Sequence, residues 1–277
     1  MKKVNDPDIK RVAVASDLSC FGKCSLTVAL PLISREGIEC VPLPSAILST
    51  HTGGFEGFEF FDMSEQMEKI LAHWESIGVE FNSVYTGYLC GTRQIDFIKA
   101  FANKIRDDIS LLLVDPVMAD DGELYSGFGH GFVKSMRTLC AMADVITPNA
   151  TEAAMLAGFE PSEVIFGACA NECLNALKDT CGGSVVITGL RREGSIGYLC
   201  YDKTADKTFE IFYPELDRIM PGCGDVFASS LCARLTAGDG FEDSVRYAAD
   251  FTCRCIKNTD HERHWYGLEF EKVLKNG

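Results

Sequence analysis

At 277 residues, 47% of them hydrophobic and 24% charged, the chain holds enough apolar material for one large domain or two small ones. A net charge of −14, from 26 basic against 40 acidic residues, argues against nucleic-acid binding, and no Lys/Arg cluster is longer than Arg191-Arg192. No stretch approaches the roughly 18 uninterrupted apolar residues of a membrane span, and MKKVNDPDIK has no apolar h-region, so a soluble, cytoplasmic protein is expected.

In chain order, RVAVAS (Arg11–Ser16) reads as a buried strand and Cys24–Arg35 as a helix after a Gly-containing turn. Met63–Ile77 is predicted helical, with Met63, Met67, Ile70, Leu71, Trp74 and Ile77 at helical spacing. SVYTG (Ser83–Gly87) is the next strand, Arg93–Ile105 a helix, and SLLLVD (Ser110–Asp115) an apolar strand ending on an acid. Phe132–Met142 is helical, DVITPN (Asp144–Asn149) a strand and its exit, and Thr151–Ala157 a short helix. Asn171–Asp179 follows as a helix and SVVITG (Ser184–Gly189) as a strand. Ile196–Tyr201 and Thr208–Tyr213 pair as antiparallel strands, and helices over Asp225–Ala237 and Phe241–Ile256 complete the pattern. Strands separated by helices predict one α/β domain over residues 1–277, a three-layer sandwich whose mostly parallel central sheet is flanked by helices. Thirteen cysteines, an odd number scattered singly among apolar residues, predict reduced, mostly buried thiols rather than disulfides or a zinc site.

In open sheets of this kind, ligands bind beyond the carboxyl ends of the strands. Ser16-Asp17, STHTGGF (Ser49–Phe55), TGY (Thr86–Tyr88), DPVMADD (Asp115–Asp121), TPNATE (Thr147–Glu152) and TGL (Thr188–Leu190) occupy those ends. In PGCGD, Gly222 and Gly224 open the backbone at a predicted helix start, where unsatisfied N–H groups and the helix dipole form an anion hole. Asp225 is then either a helix cap or a base held near a phosphoryl group. An acidic chain can bind a polyanion such as ATP through such N–H groups and a divalent metal. The acids of residues 115–121 and 149–152 suit the hard, oxygen-seeking Mg²⁺, although Asp120 and Asp121 read equally as a solvated loop. Asn149 reads equally as an N-cap, and Glu152 as a first-turn acid.

Taken together, SDLSCFGKCSLTVALPL, STHTGG, TGY, DPVMADDGELY, TPNATEA and GCGD resemble, in order and spacing, the pyridoxal/pyridoxine/pyridoxamine kinases of the ribokinase superfamily, from Arg11 to about Leu274. The resemblance implies ATP-dependent phosphorylation of the 5′-hydroxymethyl group of a vitamin B6 vitamer, with Mg²⁺, and it leaves a monovalent cation such as K⁺ open. It implies that Ser16 hydrogen-bonds the pyridine ring, that His51, Thr52 and Tyr88 line the vitamer pocket, and that Asp225 is the base. It further implies that Asp115 and Glu152 organise the metal-bound phosphates, that Asn149, Thr188, Gly222, Cys223 and Gly224 contact ATP, and that the protein is a homodimer.

Each assignment has an alternative. Ser16, His51 and Thr52 also read as turn residues, Tyr88 as a half-buried aromatic, and Ser19 competes with Ser16. Cys223 stands where the family commonly has threonine; a thiol donates a weaker hydrogen bond, and at a helix start it could add reversibly to an aldehyde. A hydroxymethylpyrimidine kinase, a sugar kinase and a non-catalytic nucleotide-binding regulator are the rival readings.

Overall fold

The computed structural model describes residues 4–216 and 220–275. Its elements run β1 (Arg11–Phe21), α1 (Leu26–Arg35), β2 (Glu39–Thr50), β3 (Phe60–Asp62), α2 (Ser64–Ser76), β4 (Ser83–Thr86) and α3 (Thr92–Lys104). There follow β5 (Leu111–Val114), β6 (Ala119–Asp120), β7 (Glu123–Leu124), α4 (His130–Cys140), β8 (Val145–Ile146), α5 (Ala150–Ala157), α6 (Pro161–Ile165) and α7 (Ala170–Thr180). The last are β9 (Ser184–Arg192), β10 (Ser195–Asp202), β11 (Lys207–Pro214), α8 (Cys223–Ala237), α9 (Phe241–Asn258) and α10 (Phe270–Lys275). They gather into two compact units, residues 4–90 with 100–110 and 220–275, and residues 91–99 with 111–216.

In the first unit the strand order is β4-β1-β2-β3. β1 is parallel to both β2 and β4, and the edge strand β3 is antiparallel to β2. Val12, Ala13, Val14 and Ala15 are all buried, the continuous apolar run of a strand covered on both faces. Helices α1, α8, α9 and α10 share a core of Val28, Leu32, Val226, Phe251, Cys255, Phe270 and Val273, joined by Met220 and Leu268. Every residue from Val226 to Ala233 on α8 is buried, so this helix is a central element and its N-terminus is rigidly placed.

β1 runs past its expected end at Ser16 to Phe21. β4 pairs with it only as far as Ala15 opposite Thr86, whereas β2 continues beside it, through a register shift between Ser16 and Leu18, to Phe21 opposite Thr50. Ser16 and Asp17 therefore lie beyond the carboxyl end of one neighbouring strand while remaining in the middle of their own. α1 begins at Leu26 rather than Cys24, because Ser25 ahead of it takes φ 54°.

In the second unit the strand order is β5-β8-β9-β10-β11, the first three parallel and the last two antiparallel. β9 continues past Gly189 to Arg192. Its pairing with β10 slips where Ile187 faces Leu199 and Leu190 faces Gly197, leaving Thr188 and Gly189, the latter at φ 74°, opposite one residue. That is a β-bulge. α5 starts with a capping box: the Asn149 side chain accepts from the Glu152 N–H, and the Glu152 side chain accepts from the Asn149 N–H. The strands and helices bear out the expected α/β class, a mostly parallel sheet flanked by helices.

All thirteen cysteines are free thiols, but only five are buried, fewer than their apolar neighbours in sequence suggested. Among the described residues no helix is long and apolar enough to cross a membrane.

Candidate functional site

The candidate residues divide between the two units. In the first, Ser16 is buried and its Oγ accepts a 3.1 Å hydrogen bond from the Tyr88 N–H. This close approach requires Gly87, since a Cβ there would stand 2.6 Å from Ser16 Oγ. Ser19, the competitor, donates its hydroxyl to Asp17 Oδ2 at 2.8 Å. Tyr88 is half-buried, and burial pushes its phenol well above the usual range. Nearby in sequence, the Thr50 and Thr86 hydroxyls are buried with no protein partner, which marks polar demand that only water or a ligand can meet.

His51 is buried with both ring nitrogens used by backbone. Nε2 lies 2.8 Å from the Tyr266 carbonyl, so it carries the proton, and Nδ1 accepts from the Gly53 N–H at 3.1 Å. Gly22 makes room for the ring: a Cβ at that position, where φ is 98°, would stand 2.2 Å from it. His51 thus ties the loop after β2 to the segment before α10, and Phe55 packs on it at 5.0 Å between ring centroids. Thr52, next to it, is exposed.

Gly222 caps α8 in the left-handed conformation (φ 81°) without a side-chain hydrogen bond. A Cβ there would strike the Lys23 carbonyl oxygen at 2.1 Å, so glycine is required by both conformation and space. Cys223 and Asp225 are half-buried in the first turn, and Gly224 is exposed. Burial pushes the Asp225 carboxyl up to about 7, the nearby Asp17 carboxylate adds to the shift, and a hydrogen bond from the Ser25 backbone opposes it. Ser25 is held at positive φ to make that contact. A carboxylate of this affinity beside uncapped helix N–H groups can take a proton and face an anion at neutral pH.

Two contributors were given no role of their own by the sequence reading, although Asp17 was placed at a strand end. Asp17 is buried, its pKa raised chiefly by desolvation although Ser25 and Ser19 hydrogen-bond it. Cys24 lies close to both acids; burial first, then Asp225 and Asp17, raise its thiol well above its usual value. An acid directly after a buried apolar strand was the available signal for Asp17.

In the second unit, Asp115 is buried immediately beyond β5. Glu152 is buried and accepts three backbone N–H groups, from Met118 at 3.0 Å, Ala119 at 3.4 Å and Asn149 at 2.9 Å. Burial raises its carboxyl to about 8 while those donors favour the charged form. The Asn149 Nδ2 donates to the Ala119 carbonyl at 2.7 Å. Asn149 and Glu152 therefore cap α5 and fix the loop after Asp115 in one stroke, so both of their alternative readings hold together. Asp120 ends β6 in the β6–β7 hairpin, whose turn Asp121-Gly122 takes φ 46° and 88°, as a type I′ turn demands. Half-buried Thr188 sits on the β9 bulge, its N–H donating to the Pro148 carbonyl at 2.9 Å.

Among the described residues no group of three or more His, Cys, Asp or Glu is gathered as a metal site. Asp115 and Glu152 offer buried carboxylate oxygens, a hard donor set compatible with Mg²⁺ completed by water and phosphate oxygens.

The profile of the phosphomethylpyrimidine kinase family matches residues 33–268. A Bacteroides thetaiotaomicron protein described as a phosphomethylpyrimidine kinase, crystallised with pyridoxal, is 35% identical with a TM-score of 0.90, over 97% of this chain and 95% of that one. Pyridoxal kinase from Lactobacillus plantarum is 29% identical with a TM-score of 0.88, over 96% of each chain. Pyridoxal kinase from Leishmania donovani, in complex with ADP and ginkgotoxin, is 25% identical with a TM-score of 0.86, over 96% and 95%.

Proposed function

Since the chain belongs to the phosphomethylpyrimidine kinase family, we propose that it transfers the γ-phosphoryl group of ATP to the 5′-hydroxymethyl group of a vitamin B6 vitamer. The observation that carries this reading is Asp225: a carboxylate with pKa near 7 in the first turn of a buried helix whose N-cap is an obligatory glycine. Relatives described as pyridoxal kinases, and a 35% identical structure holding pyridoxal, favour the B6 ring over a pyrimidine or a sugar.

Asp225 takes the proton of the attacking hydroxyl or orients it. The N–H groups of Gly222 to Asp225 stabilise charge on the transferring phosphoryl group. Ser16 contacts the ring, supported by Ser19 being committed to Asp17, while Thr52 and Tyr88 line the pocket. His51, with both nitrogens occupied by backbone, shapes that pocket from behind. Asn149, Thr188 and Glu152 serve the nucleotide, and Asp115 with Glu152 holds Mg²⁺, which neutralises phosphate charge when bound. We further propose a cytoplasmic homodimer, one kinase domain per chain.

A coupled assay of ATP consumption with pyridoxal, pyridoxine, pyridoxamine and hydroxymethylpyrimidine side by side, with Mg²⁺ and then with excess EDTA, tests the reading. Mg²⁺-dependent turnover of a B6 vitamer is expected. Turnover of the pyrimidine alone would transfer the assignment to the other branch of the family.

A further inference from the structure

Two thiols that the proposed chemistry leaves unused flank the first turn of α8. Cys24 lies in the turn between β1 and α1, Cys223 opens α8, and both are half-buried. Gly222 brings their segments together: a Cβ on it would stand 2.1 Å from the Lys23 carbonyl oxygen and 3.7 Å from Cys24 Sγ. Each cysteine thus directly follows a residue of that contact, and Cys223 is among the groups that act on the Cys24 thiol.

Both segments are held in place. The Lys23 N–H donates to the Tyr266 carbonyl at 3.2 Å, and the Thr27 hydroxyl donates to the Cys24 carbonyl at 2.7 Å. Lys23 also lies against Gly267, where a Cβ would stand 2.6 Å from the Lys23 Cβ. On the other side, α8 is buried from Val226 to Ala233, and Cys223 packs at the margin of the core around Val28, Met220 and Phe251. Fixed neighbours react at high effective concentration. Their chemistry differs. The partial positive charge of a helix N-terminus favours the thiolate of Cys223, whereas burial and the nearby acids keep Cys24 protonated. Cys255, also within electrostatic reach of Cys223, is 0% exposed among core side chains, which closes it to an oxidant from solution. Cys20 is exposed but lies in β1, ahead of the turn.

We propose that Cys24 and Cys223 form a reversible disulfide on oxidation by a hydroperoxide, a modification site that disables the turn bearing Asp225. The Cys223 thiolate attacks one peroxide oxygen, the O–O bond breaks, and the other oxygen leaves as hydroxide, giving a sulfenic acid. Cys24 then gives up its proton, attacks that sulfur and expels the oxygen as water. With hydrogen peroxide the two thiols lose two electrons and two protons, and two waters form. The narrow span of a disulfide draws the first turn of α8 onto the β1–α1 turn. It also pulls on Ser25, whose backbone meets Asp225, so the base and its neighbouring N–H groups leave their working positions. The bridge itself is independent of the kinase reading; its effect on turnover rests on that reading.

The test is non-reducing tryptic peptide mapping of the full-length protein after hydrogen peroxide, with vitamer turnover followed in parallel. Trypsin cuts after Lys23 and so separates Cys20 from Cys24. The Cys24–Arg35 peptide is expected joined to peptide 219–234 with the mass of the pair less two hydrogens, fragment ions placing the bond on Cys223 rather than Cys232. Turnover is expected to fall at least tenfold and to return on adding dithiothreitol. In Cys24→Ser, which lacks the resolving thiol, the link is expected to be absent, Cys223 to gain two oxygens as a sulfinic acid, and dithiothreitol to restore no turnover. A merely structural role for Cys24 would not change the oxidation product at Cys223. Cys20→Ser is expected to form the link as the parent does. Absence of the Cys24–Cys223 link in the parent overturns the inference, as does turnover within about twofold of the reduced protein once the link has formed. A reduced parent that turns over no vitamer overturns the kinase reading alone, and the peptide map still decides the bridge.

Discussion

Asp225→Asn separates the chemistry of the first turn of α8 from its folding. The carboxyl has a pKa pushed up to about 7, so roughly half of the free protein carries the base at pH 7 and about a tenth at pH 6. The kcat/KM for the vitamer is therefore expected to fall about fivefold between those values. In the variant this acid limb disappears, and turnover drops at least 10²-fold, the scale of a general base. Stability moves the other way. A carboxyl whose folded pKa is raised keeps its proton in the fold after the unfolded chain has lost it, so native stability declines as pH rises from about 4 to about 7. The shift would correspond to about 4 kcal/mol for a fully buried group; the partial solvent access of Asp225 reduces this to about 1–2 kcal/mol. Melting temperatures at pH 5 and pH 8 should fall for the parent and stay nearly level for the variant, leaving the variant the more stable at pH 8. Steady-state kinetics between pH 5.5 and 8.5 complete the test. A variant retaining a tenth or more of parental turnover would refute the assignment of the base.

Gly222→Ala places a methyl group 2.1 Å from the Lys23 carbonyl oxygen at a φ of 81°; a loss of about 2–4 kcal/mol is expected, read as a melting point lower by roughly 6–12 °C. Asn149→Ala removes half of the capping box and the tie to Ala119; it should cost about 1–2 kcal/mol in a denaturant titration and raise the KM for ATP without changing that for the vitamer.

The chain's alternation of buried runs and helical faces was enough to read the parallel strands and the helices between them, because covering a strand on both faces leaves a continuous apolar signature, as in Val12–Ala15. Strand ends were less legible. β1 continues past Ser16 because β2 keeps pairing with it after β4 has stopped, a partner effect no local pattern carries. The motif residues were found by their polar character at strand exits, but not the way they are held. That His51 would spend both nitrogens on backbone, or that Ser25 would sit at φ 54° to meet Asp225, depends on segments far apart in sequence. Asp17 was placed at a strand end but given no role, because its value lies in the company of Ser19, Ser25 and Asp225, which only the folded chain assembles. The β9 bulge was invisible for the same reason, since the TGL string reads equally as a strand end.

The core of the first unit joins Val28 and Leu32 of α1 to Met220, Val226, Phe251 and Phe270, so its two halves are separated by well over a hundred residues of chain. During synthesis, β1, α1 and β2 must wait with their apolar faces uncovered until α8 and α9 have emerged. The helix bearing Asp225 is thus among the final pieces to arrive, and it closes the hydrophobic seam as it arrives. A ribosome-stalled chain ending before Met220 should be a client for chaperones rather than a slow enzyme, and catalytic competence and resistance to proteolysis should appear together.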